Sequence, residues 1–175
     1  MAVREILLLG NPVLRAQCEK VENFSDPGLH KIVTDLFDTL TDFRRTHGFG
    51  RGIAAPQIGA SKMITVINVD TPITLINPEI VNRSHQTMML WDDCFSFPEL
   101  LVKVRRHVSI TVEYRDEHGV QHRIEAEGSL SELLQHEIDH LNGILAVDRA
   151  IDSKHIILRS EWEKLDRASR RVVAL

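Results

Sequence analysis

The sequence predicts an α+β fold, with mixed or antiparallel β-sheets packed around one central helix and an N-terminal and a C-terminal helix beside them. Three observations predict it. Leu29, Ile32, Val33, Leu36, Phe37 and Leu40 recur at helical spacing. The middle of the chain is rich in β-branched residues and turn signals. Leu130, Leu133, Leu134, Ile138 and Leu141 then return to helical spacing.

The first helix starts at Ser25-Asp26-Pro27, since Ser or Asp can cap it and Pro suits the first turn, and it ends before Gly48. A glycine-rich loop follows from Gly48 to Gly59. Met63 to Val69 and Ile73 to Ile76 are strands parted by Asp70-Thr71-Pro72. Val108 to Tyr114 alternates apolar and polar residues, and Asp116 to Gly119 turns it into Val120 to Ala126. The second helix opens near Ser129, with Ser129 and Glu132 as a capping box and Gly143 closing it. Asp152 or Ser153 caps a last helix running through Ile156, Ile157 and Trp162 to about Ala168.

A chain of 175 residues reads as one domain over residues 1–175, with no internal repeat and no Pro/Ser/Gly-rich linker. Lys and Arg total 21 against 25 Asp and Glu, so a mildly acidic chain predicts neither specific DNA binding nor attraction to anionic membranes. No apolar run approaches the ~20 residues a membrane helix needs. Ile6 to Leu9 is too short for a signal peptide. Two cysteines, Cys18 and Cys94, make no disulfide framework, and a cytoplasmic protein with reduced thiols is expected. Cys18 reads as a packing residue.

The second helix contains His136-Glu137-Ile138-Asp139-His140. Side chains four residues apart share a helix face, so both imidazoles can reach one metal ion, with Glu137 beside them as a candidate general base. A catalytic site of three protein ligands needs one more. Cys94, in the β region, is the candidate. By itself it reads first as an inert buried side chain, and a thiol nucleophile is a further reading that no local sequence supports. In Gly50-Arg51-Gly52-Ile53-Ala54-Ala55-Pro56-Gln57 the glycines permit close backbone approach, and Gln57 can set an amide N–H against a developing oxyanion.

Gly50 to Gln57, the segment around Cys94, and Gln135 to His140 with Leu141-Asn142-Gly143 resemble, in this order, the three motifs of the peptide deformylase family (G-x-G-x-A-A-P-Q, E-G-C-L-S and Q-H-E-x-D-H). The resemblance covers nearly the whole chain. It implies a metal-dependent hydrolase that removes the N-formyl group from the initiator methionine of nascent polypeptides and releases formate. Cys94, His136 and His140 are the implied ligands of one divalent ion, with Fe(II) as the native metal and Zn(II), Ni(II) or Co(II) able to replace it. Metal binding lowers the pKa of water towards about 7, and Glu137 is the implied base. Gln57 and the Phe95 backbone N–H are the implied oxyanion donors. Gly50, Gly52, Ile53, Asp93 and Leu101 are the expected substrate wall. Asp92, Arg106 and Asp139 are the expected supports behind the ligands.

The middle motif departs from the family. Asp92 and Asp93 replace Glu and Gly, Phe95 replaces Leu, Leu101 stands where an arginine is common, and Arg51 adds a charge in the first motif. The altered wall leaves two alternatives: the same chemistry on another N-formylated or small amide substrate, or a catalytically silent metal-binding relative. Arg159, Lys164, Arg167, Arg170 and Arg171 in the last helix offer a ribosome contact.

Overall fold

In a computed structural model of the chain, which describes residues 2–174, two antiparallel sheets flank one buried helix. Helix α1 (Pro27–His47) begins where Asp26 accepts a hydrogen bond from the Gly28 N–H at 2.8 Å and ends at Gly48, whose N–H donates to the Arg44 carbonyl. Strands β1 (Gly52–Ala54), β2 (Ile64–Asn68), β3 (Pro72–Arg83), β6 (Ser109–Arg115) and β7 (Gln121–Glu127) form one sheet in the order β1-β2-β3-β6-β7. Strands β4 (Thr87–Asp93) and β5 (Leu100–His107) join β8 (Ile156–Leu158) and β9 (Val173–Ala174) in a second, ordered β8-β5-β4-β9.

Helix α2 (Ser129–Leu141) is buried from Ser131 to Leu141. A helix covered this completely cannot present a polar face to water, so its His, Glu and Asp side chains must find partners inside the protein. Leu133, Leu134 and Ile138 pack with Ile67, Leu75, Ile110, Val112 and Ala126. Leu141 packs with Cys18, Ala54 and Met63. Each such leucine contributes roughly 1.5–3 kcal/mol on burial, which holds the helix backbone still. Helix α1 closes the other face of β1 and β2 through Leu29, Val33, Leu36, Leu40 and Phe43.

Several expectations are corrected. The Gly48–Gly59 loop contains β1 and a turn of 3-10 helix at Ala55–Ile58. Strand β3 runs on to Arg83 past two register irregularities; at the first, Asn77 takes φ +50° and ties Val21 through both ends of its amide, at 2.8 Å each. The Ser129–Glu132 capping box does not form, and Gly128 stands at the N-cap. The Arg51 guanidinium captures both side chains instead, reaching the Ser129 hydroxyl at 2.6 Å and Glu132 at 2.6 Å, because charge-assisted bonds outweigh a neutral cap. The last helix shrinks to one turn, α3 (Arg159–Trp162), since Ile156–Leu158 pairs with the open edge of β5. Among the described residues, no helix is long and apolar enough to cross a membrane.

Gly143, just past α2, has φ +72°, and a Cβ there would stand 2.5 Å from the Arg15 carbonyl oxygen. Gly143→Ala is therefore expected to cost about 1–3 kcal/mol, read as a lower urea midpoint with unchanged slope.

Candidate metal centre

Two turns of backbone bring three donor atoms together. His136 and His140 project from the same face of α2, and their Nε2 atoms lie 3.1 Å apart. Cys94, in the turn that follows β4, sets its Sγ 3.2 Å from His140 Nε2. All three residues are buried. His136 Nδ1 faces the Asp92 carboxylate at 2.9 Å, which fixes its N–H there and turns the Nε2 lone pair towards the other donors. Burial pushes His140 well below its ordinary pKa and keeps it neutral. Two imidazoles and a cysteine sulfur make a donor set that suits zinc or another divalent transition metal. A second group, Asp92 with Glu132 and His136, lies equally close, but Arg106 and Arg51 already satisfy its carboxylates.

Behind the donors lies a buried ionic network. Arg106 on β5 donates to Asp92 on β4 at 3.0 Å and to Asp139 on α2, and Arg149 donates to Asp139 at 2.7 Å. Burial works to raise the Asp92 pKa, yet His136 and Arg106 hold it down to about 2. Glu137 lies in the opposite environment. Burial pushes its carboxyl up to about 7, against the opposing pull of His136 and of the Thr65 hydroxyl, which donates to it at 3.3 Å. Gly52 makes room for that carboxylate, since a Cβ there would stand 2.6 Å from Glu137 Oε1.

Gln57 is aimed by its own loop. Its Oε1 accepts from the Ala54 N–H at 2.9 Å, which directs Nε2 to the Ser96 hydroxyl at 3.2 Å and the Cys94 sulfur at 3.6 Å. A cavity of about 350 Å³ opens over these groups. Gly50, Gly52, Gln57, Asp93, Cys94, Phe95, His136 and Glu137 line it, as does the apolar pair Phe49 and Leu133. Phe95 stacks on Phe43 with ring centroids 3.7 Å apart.

Two expected wall residues lie elsewhere. Ile53, fully buried, belongs to the core beneath α1. Leu101, 4% exposed, sits between Asp93 and Ile157 in the sheet, and neither residue lines the cavity. A further arginine meets two of the wall residues from another part of the chain. Arg159 of α3 donates to Asp93 at 2.8 Å and to the Pro98 carbonyl at 2.8 Å, and its guanidinium lies 4.4 Å from the Phe49 ring centroid. The charge of Asp93 is thus matched on the wall. Sequence reasoning missed this role of Arg159, and also Thr65, Ser96 and Arg149. Only Ser96 sits inside a recognisable motif.

Introducing an arginine at the buried position 101 is expected to destabilise the fold instead of extending the wall. Leu101→Arg should cost about 3 kcal/mol or more in urea unfolding, whereas an unchanged midpoint would contradict the placement.

The polypeptide deformylase family profile matches residues 3–155. The peptide deformylase of Thermotoga maritima is 36% identical over 167 residues, covering 95% of this chain and 98% of the relative. That of Natranaerobius thermophilus is 41% identical over 152 residues, covering 86% and 94%. The crystal structure of a peptide deformylase from Legionella pneumophila superposes with a TM-score of 0.80 at 38% identity, covering 97% of this chain and 96% of that one. With the three motifs, the two-sheet fold and these similarities in agreement, the chain belongs to the polypeptide deformylase family.

Proposed function

We propose that this chain hydrolyses the N-formyl group of formylmethionine at the start of nascent polypeptides, with Cys94, His136 and His140 holding one divalent metal ion and Glu137 acting as general base. The observation that carries the reading is the convergence of three donor atoms within 4.8 Å of one another, two of them from Cys94 and His136, which line a cavity shared with Glu137 and Gln57. A metal ion at those donors supplies Lewis acidity that brings water within reach of deprotonation near neutrality. Fe(II) is the native ion in this reading, with Zn(II), Ni(II) or Co(II) as substitutes for the same donor set.

The remaining chemistry belongs to the chain's own residues. Glu137, with a carboxyl near pH 7, takes a proton from the attacking water and delivers it to the amine nitrogen as the formyl carbon–nitrogen bond breaks. Formate and a free N-terminal amine leave. Gln57 Nε2 and the Phe95 backbone N–H donate to the oxygen that gains charge as the formyl carbon becomes tetrahedral. Asp92 keeps His136 in the tautomer that presents Nε2, and Arg106 and Asp139 hold Asp92 in place. Phe49, Phe95 and Leu133 offer the apolar surface that a thioether side chain fills. The match of Asp93 by Arg159 removes the strongest motive for a different substrate, and a silent relative has no use for a base poised like Glu137.

The work is placed in the cytoplasm, where nascent chains carry the formyl group. A ribosome contact through Lys164, Arg167 and Arg171 belongs to the same reading. These exposed side chains lie beyond the single turn of α3, so that contact would be made by irregular chain.

Formate release from a short formyl-Met peptide tests the reading, with anaerobically prepared protein of known metal content. Glu137→Gln is expected to lower kcat by about 10²–10⁴-fold while keeping metal and fold. Activity that survives this substitution, or none from fully metallated wild-type protein, would overturn it.

A further inference from the structure

We propose that a second cavity, on the far side of the Asp92–Arg106 pair, binds a small tetrahedral oxyanion of the phosphate class. It measures about 270 Å³, and none of its lining residues lines the metal cavity. Arg83 from the end of β3, Arg105, Arg106 and His107 from β5, and Arg149 beyond α2 face it, with Asp139 as the one lining carboxylate.

The local charge does not balance. Both Asp139 oxygens are already taken, by Arg106 and Arg149. Arg106 gives its other terminal nitrogen to Asp92. Arg83 and Arg105, which also line the cavity, enter no ion pair among the described residues.

Acceptors are short as well. Arg106 is 4% exposed, and its Nε has no hydrogen-bond partner. A donor buried in this way costs about 1–3 kcal/mol unless something accepts from it. Gln135 spends its amide on the His107 backbone and on Ser131, and His107 Nδ1 is occupied by the Ser84 carbonyl. The arginines come from β3, β5 and the segment beyond α2, and all four line one cavity. A tetrahedral group with several acceptor oxygens answers that arrangement better than a planar one, and guanidinium forks bind phosphate-type oxygens two at a time. A chain of formal charge -4 argues for a small anion held in a local pocket over a long polyanion laid across the surface.

Calorimetric titration of the metal-loaded protein with inorganic phosphate, at an ionic strength held constant with sodium chloride, tests the proposal. Saturable binding at one site is expected, weakened at least about tenfold in the Arg83→Gln/Arg105→Gln double variant. That variant should keep wild-type deformylation and thermal midpoint, because both side chains are exposed and lie away from the donors. Absence of saturable binding would overturn the site. So would equal binding by the double variant, which would place the anion at the metal or elsewhere. A short single-stranded RNA that binds where phosphate does not would also overturn it, in favour of a polyanion surface.

Discussion

The buried pairing of Asp92 with Arg106 and His136 is the interaction on which the rest of the site depends. It joins β4, β5 and α2 at one carboxylate, and Asp139 with Arg149 extends it along the helix. Charges taken out of water cost several kcal/mol each unless they are matched, so every member of this network is held by the others. The network fixes α2 against the four-stranded sheet and settles which nitrogen of His136 faces the other donors. Packing alone would hold the helix, but the ionic pairing sets its rotation and the tautomer it presents.

The same interior gives two carboxylates opposite characters. Asp92 lies against two positive partners and stays ionised to about pH 2, so it is an anchor. Glu137 has the Thr65 hydroxyl as its hydrogen-bond donor among the described residues and the backbone of Gly52 beside it, and burial lifts its carboxyl to about 7. Environments that push two pKa values apart are how one site assigns an anchor and a base. The cavity wall follows a similar logic. Asp93 is tolerable next to the donors because Arg159, from the far end of the chain, meets it and braces Phe49.

Where local signals agreed with tertiary contacts, the sequence was easy to read. Helix α1 has its cap, its proline and its apolar face in order, and the Val108–Ala126 hairpin alternates around a polar turn. The His-Glu-x-Asp-His spacing and the loop before Gln57 pointed to the site from residue types alone. The ladder of β4 with β5 was hidden, since its inward positions include Asp92 and Arg106 and so break the apolar alternation a strand should show. Arg51 defeats the capping box by reaching Ser129 and Glu132 from 78 and 81 residues away, a contact no local window contains. Leu101 and Arg159 show the same limit: the resemblance implies a wall place for Leu101, whereas strand register buries it, and Arg159 reaches the wall residue Asp93 from the far end of the chain.

The most direct test of the central claim is the metal affinity of Asp92→Asn, measured by competition with a chromophoric chelator. An amide is neutral and can present either oxygen or N–H to His136, so the tautomer loses its lock and Arg106 its partner. Affinity about 10–100-fold below wild type, in a protein that still folds, is the predicted result. Wild-type affinity in Asp92→Asn would contradict the claim that this carboxylate organises the donors.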